Sequence, residues 1–159
     1  MKPTTSTSGL VPSLCFVRPD LEGGREGALH LLATAAVEQG YARESFVEAV
    51  IAREAAFPTG LPLPVPVAIP HADARHILKP GMAALVPQAP LRFGEMGSKV
   101  RTIDAQFVLM LLVDDPSQQV ALLGRLIAAL RRPDLGEVLL AGVEDPEELV
   151  RRFDTLLEG

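Results

Sequence analysis

Residues 107–113, Phe-Val-Leu-Met-Leu-Leu-Val, form an unbroken apolar run. The run is far shorter than the roughly 20 residues needed to cross a bilayer. It also lacks the alternation of a strand with one wet face. Such a run suits the centre of a sheet covered on both sides, so we assign a strand to residues 104–113 and Met110 to core packing. Helical and short extended patterns alternate around it. Together they predict an α/β fold, a single-domain sandwich with one small mixed β-sheet flanked by helices on both sides.

The helices are legible from spacing and caps. Ala28, Leu29, Leu32, Ala36 and Val37 recur at helical intervals across 25–39, and Gly40 supplies a stop. His30 lies in this helix as a surface or half-buried residue without a chemical duty. A second helix, 43–56, lines up Phe46, Val47, Val50 and Ile51, with Arg53 and Glu54 in its last turn. Asp115-Pro116 pairs an N-cap with a proline at the first helical position. It opens a helix to residue 131 with Val120, Leu123, Leu126, Ile127 and Leu130 inward. A short helix over 133–141 follows. Asp145-Pro146-Glu147-Glu148 repeats the capping pattern and starts a final helix through 157 that buries Leu149, Val150, Phe153 and Leu156.

Shorter strands are expected at 14–17, 67–69, 82–86 and 91–93, the last closed by Gly94, with a turn at 79–81. Residues 57–66 hold four prolines and a glycine, which predicts a constrained surface loop without regular structure. Residues 1–13, rich in Thr, Ser, Pro and Gly, read as a flexible tail before a domain over 14–159.

With 159 residues, 48% hydrophobic and 22% charged, the chain has enough apolar side chain for one proper core and too much for disorder. A net charge of -5, one Tyr and no Trp provide neither a basic groove nor a stacking platform for nucleic acid. No apolar run supports membrane insertion. The single Cys15 has no internal disulfide partner and no surrounding basic cluster, so it reads as a small buried hydrophobe. Nothing at the amino terminus resembles a signal peptide, and a cytoplasmic location is expected.

The chemistry concentrates in Arg53-Glu54, Pro58-Thr59-Gly60-Leu61 and Val67-Ala68-Ile69-Pro70-His71. Imidazole is a nucleophile that is largely neutral near pH 7 and can accept and release a phosphoryl group. A guanidinium can hold the phosphoryl oxygens while charge redistributes. Pro70 biases Ile69 toward extended geometry and stiffens the backbone that presents His71. Arg53 has two readings: a solvated cation at a helix C-terminus, paired to Glu54 or Asp73, or a group that stabilises the phosphoryl. Asp73 can orient an imidazole and Arg75 can draw an incoming donor, or both are ordinary loop charges. His71, Asp73 and His76 also invite a metal-dependent hydrolase reading, although their spacing is loose and no Cys or Glu cluster completes a site.

These segments resemble the phosphorylation-site signature of the IIA components of the sugar phosphotransferase system, of the fructose and mannitol type. Phe57-Pro58-Thr59-Gly60-Leu61 is most similar to the galactitol branch, and the likeness continues through Leu91-Arg92-Phe93-Gly94 and the run at 107–113. The resemblance implies the same layered sheet with the histidine at its edge. It implies that His71 accepts a phosphoryl group from the carrier HPr and passes it to a cysteine of a IIB component, assisted by Arg53. Thr59 or the Gly60 backbone is a further candidate donor. Gln119 stands where relatives carry a second histidine, either as a neutral donor to phosphoryl oxygen or as a plain surface amide. No cofactor or metal is implied, because a phosphohistidine already has the transfer potential for the next step. A membrane IIC component would select the sugar. A regulatory module resembling the nitrogen-related branch is the alternative, and the Phe-Pro-Thr-Gly-Leu wording favours transport.

Overall fold

A computed structural model describes residues 8–158. Among the described residues the strands are β1 (Leu10–Val17), β2 (Gly60–Leu61), β3 (Val67–Ala68), β4 (Gly81–Val86), β5 (Leu91–Gly94), β6 (Thr102–Ala105) and β7 (Phe107–Leu112). The helices are α1 (Gly24–Glu38), α2 (Ser45–Ala56), α3 (Pro116–Leu130) and α4 (Pro146–Glu158). Five strands form one mixed sheet in the order β1-β4-β7-β3-β2, and β5 and β6 form a separate hairpin. No helix among the described residues is long and apolar enough to cross a membrane.

β7 occupies the middle of the sheet and is buried along its whole length. Because successive side chains leave a strand on opposite faces, the apolar run feeds two cores at once. Phe107, Leu109 and Leu111 pack with Leu126 and Leu130 of α3 and with Leu149, Val150, Phe153 and Leu156 of α4. Val108, Met110 and Leu112 pack on the other side with Leu29 and Leu32 of α1, Phe46 and Val50 of α2, and Phe93 and Ile103 of the hairpin. Helices therefore cover both faces, as expected. Asp145 accepts from the Glu148 backbone N–H at 2.8 Å while the Glu148 carboxylate accepts from the Glu144 N–H at 3.2 Å, which fixes the start of α4.

Several local expectations are corrected. β1 begins at Leu10, which is fully buried, so residues 10–13 belong to the sheet and not to a tail. As an edge strand with a register shift between Leu10 and Cys15, β1 tolerates Pro12. The tail assigned to residues 1–7 lies outside the described residues. The strand expected over 104–113 divides at Gln106, whose N–H donates to the Pro66 carbonyl at 2.9 Å, and Asp104 and Ala105 belong to the hairpin.

The proline-rich stretch 57–66 contains β2, which pairs antiparallel with β3, and it buries Thr59, Gly60, Leu61 and Val65. Pro58 and Pro62 lie outside the two residues of β2, and an edge strand needs few N–H donors. Val120 of α3 is 79% exposed, not inward. Leu122, Leu126 and Leu130 form the inner stripe of that helix, and a residue two positions from Leu122 lies on nearly the opposite side. The short helix expected over 133–141 is one wide turn, Gly136–Leu140.

Candidate active site

β3 and β7 run parallel, with Val67 beside Phe107 and Ala68 beside Val108, so both strands open at the same edge of the sheet. Pro70 continues the ladder by accepting from the Leu111 N–H at 3.0 Å, and the Ile69 N–H donates to the Thr59 carbonyl at 3.3 Å. The chain is thus held on both sides up to His71.

His71 is 7% exposed, and its ring Nδ1 lies 2.9 Å from the Ile69 carbonyl oxygen. A carbonyl only accepts, so Nδ1 carries the proton and Nε2 keeps its lone pair. Arg53 Nε is the one fully buried side-chain N or O atom without a partner among the described residues. His71 Nε2 also has no partner among the described residues, and since it is not among the buried unpartnered atoms it is not sealed from solvent. Burial lowers the His71 pKa below the ordinary imidazole value; the bond to Ile69 opposes this and the Arg53 charge adds to it. The ring is a neutral nucleophile at neutral pH.

Arg53 lies in the last turn of α2, where the helix dipole favours a cation. Its guanidinium carbon stands 5.1 Å from the centre of the Phe57 ring. It forms no ion pair among the described residues, so the expected pairing to Glu54 or Asp73 is absent. The Glu54 carboxylate, 2% exposed, accepts instead from the Thr59 backbone N–H at 2.7 Å and from the Thr59 hydroxyl at 2.6 Å. Burial raises the Glu54 pKa, against the two Thr59 donors and the charges of Arg25 and Arg53. Both Thr59 donors are therefore committed to Glu54.

Gly60 sits where β2 meets the hairpin. A Cβ there would stand 2.5 Å from the Gly94 carbonyl oxygen and 2.6 Å from a side-chain carbon of Ile103. One at Gly94 would stand 2.8 Å from the Pro58 ring. The Pro58-Thr59-Gly60 and Arg92-Phe93-Gly94 motifs interlock through these two glycines, which pins the segment that carries Thr59.

The remaining candidates lie apart. Asp73 is exposed and faces Arg75 at 3.9 Å, so the Ile69 carbonyl, not Asp73, orients His71. His76 bonds Ser45 through Nδ1 at 2.8 Å and receives Arg75 Nε at 3.3 Å. His71, Asp73 and His76 do not converge, and no group of three or more His, Cys, Asp or Glu able to hold a metal ion occurs among the described residues. Gln119 is half-buried near the start of α3, which follows the open end of β7. His30 is exposed beside Thr34. Cys15 is buried, donates to the Val11 carbonyl, and has its thiol pKa pushed up to about 12, chiefly by burial. A cavity of about 490 Å³ lies between α3 and β4, lined by Gly81, Leu112, Asp115, Gln118, Leu122 and Arg125 among others, and includes neither His71 nor Arg53.

Glu54 and Phe57 were not read as site residues from sequence. The adjacency of Arg53 and Glu54 and the threonine five residues beyond Glu54 were the available signals, but which carboxylate meets which donor depends on how the chain turns at Pro58.

Residues 15–155 match the family described as "Phosphoenolpyruvate-dependent sugar phosphotransferase system, EIIA 2". The galactitol-specific EIIA component of Escherichia coli K12 is 34% identical over 103 residues, covering 64% of this chain and 68% of that protein. IIA of the mannitol system of Escherichia coli, solved in complex with phosphorylated IIB, superposes with a TM-score of 0.69 at 21% identity, covering 98% of each chain. The nitrogen regulatory protein IIA-Ntr of Neisseria meningitidis superposes with a TM-score of 0.72 at 20% identity, covering 94% of this chain and 96% of that one. The match over nearly the whole length makes this chain a member of the EIIA 2 family of the sugar phosphotransferase system, phosphotransferases that work through a phosphohistidine intermediate.

Proposed function

We propose that this chain is a cytoplasmic phosphocarrier in which His71 receives a phosphoryl group from phosphorylated HPr and delivers it to the cysteine of a IIB component. That component would act with a membrane IIC component in the uptake of galactitol or a similar polyol. The observation that carries the reading is a His71 ring whose Nδ1 is held by the Ile69 carbonyl and whose Nε2 is left free, within electrostatic reach of the Arg53 guanidinium.

The Nε2 lone pair attacks phosphorus as the P–N bond to the donor imidazole breaks, and the donor leaves with that electron pair. Positive charge develops on the His71 ring, and the Nδ1–H bond to the Ile69 carbonyl stabilises it. Arg53 offers its charge and its terminal N–H groups to the phosphoryl oxygens. In the second step a cysteine thiolate attacks phosphorus and the bonding pair returns to Nε2. Gln119, near the start of α3, would supply a neutral donor. Thr59 acts through Glu54, Gly60 through packing, and Asp73 as a charge at the rim.

Incubation with phosphoenolpyruvate, enzyme I and HPr should place one acid-labile phosphoryl group on the chain, and His71→Ala should abolish it. Labelling that persists in that variant would move the site elsewhere. Transfer onward to a galactitol-type IIB cysteine separates transport from a regulatory role. A phosphorylated chain that no IIB component discharges would point to regulation.

A further inference from the structure

We propose that Phe57 is a positioning residue for phosphoryl transfer, holding the Arg53 guanidinium on its ring face so that the guanidinium N–H donors stay free for the phosphoryl oxygens. This rests on the phosphocarrier reading of His71.

Pro58 bars Phe57 from helical geometry, and Phe57 takes up φ -134° and ψ 84°, ending α2. Its N–H donates to the Arg53 carbonyl at 2.7 Å, which ties the two residues together. The guanidinium then lies 5.1 Å from the ring centre. Phe57 itself is 64% exposed, so its ring is not held there by burial in a core.

The carboxylates that could have held Arg53 are occupied elsewhere. Glu54 accepts from Thr59, and Asp73 faces Arg75. A carboxylate partner would take up the guanidinium donors and cancel part of its charge, in competition with an incoming phosphoryl group. An aromatic face attracts the cation through its quadrupole and uses none of the N–H groups. The buried, unpartnered Arg53 Nε is what such an arrangement leaves behind.

The test compares Phe57→Leu, which keeps apolar bulk without a ring, with Phe57→Tyr, which keeps the face. Phosphoramidate serves as a small phosphoryl donor, so that no partner protein is involved. His71 is also titrated by NMR in each variant. Phe57→Leu should slow labelling of His71 by about two- to fivefold, the scale of an exposed cation–π contact. Phe57→Tyr should restore the rate, and both variants should remain fully folded at the assay temperature. The His71 midpoint should move up in Phe57→Leu as the guanidinium charge loosens, and adding Phe57→Leu to Arg53→Met should move it no further. Unchanged labelling and titration in Phe57→Leu would overturn the proposal. So would a loss seen only with phosphorylated HPr as donor, which would make Phe57 a partner contact. If the wild-type chain takes no label from either donor, the phosphocarrier reading falls, while the titration still decides whether Phe57 positions Arg53.

Discussion

Glu54 and Thr59 are joined by two buried hydrogen bonds, from the Thr59 N–H at 2.7 Å and its hydroxyl at 2.6 Å, and this pair closes the turn between α2 and β2. Removing one donor leaves a buried carboxylate half-satisfied. Thr59→Val should destabilise the fold by about 1.5–3 kcal/mol, the range for hydrogen bonds to charged groups, and Thr59→Ser should recover most of it. Urea denaturation of the three proteins measures both. Equal midpoints for Thr59→Val and wild type would show that the pair contributes nothing net.

The same carboxylate makes stability depend on pH. Its folded pKa is raised, so above the unfolded value the unfolded chain has released a proton that the folded chain still holds. The contribution of Glu54 therefore falls as pH rises from about 4 toward the raised folded value, then levels off. The stability difference between wild type and Glu54→Gln, measured by denaturation across that range, should shift against the wild type with rising pH. A difference that is flat in pH contradicts the assignment.

His71 titrates in the opposite sense. Its folded pKa is lowered, so stability is lost as pH falls below the ordinary imidazole value of about 6.5, where the unfolded chain binds the proton more readily. Labelling by phosphoramidate should rise with pH through a midpoint below that value and be flat above it. Arg53→Met should move the midpoint up, because the lowering charge is gone, and reduce the plateau by about 10²-fold, as for loss of one transition-state donor. A variant with an unchanged midpoint would place Arg53 outside electrostatic reach of the ring.

Gly60 and Gly94 should tolerate no side chain. Gly60→Ala directs a Cβ at the Gly94 carbonyl, a backbone atom that cannot swing aside, and overpacking of this kind typically costs about 1–3 kcal/mol. Thermal denaturation should show the loss in Gly60→Ala. Gly124→Ala, with open space around it, is the control and should show none.

Cys15 should be inert in the folded chain. With its thiol pKa near 12 and its side chain buried, it should resist a thiol reagent at about pH 8 and react once the chain is unfolded in denaturant. Rapid modification of native protein would mean that β1 opens readily.

The layered fold was legible because it rests on local pattern. A run with no polar residue, 107–113, has to be covered on both faces, and the apolar spacing of α1, α2 and α4 supplies the cover. Proline and N-cap pairs marked where α3 and α4 begin for the same reason, since they act within a few residues. His71 and Arg53 stood out by chemical type and by their place in a motif. What the tertiary structure alone decided is which groups meet. Asp73 is two residues from His71, yet the Ile69 carbonyl orients the ring; Glu54 adjoins Arg53, yet its carboxylate turns to Thr59. Val120 has the right spacing for an inner face, yet the rotation of α3 leaves it in solvent. Sequence specifies which partners are chemically eligible, whereas the direction of each side chain depends on backbone turns and packing contributed by segments far along the chain, such as the seating of Gly60 against Gly94.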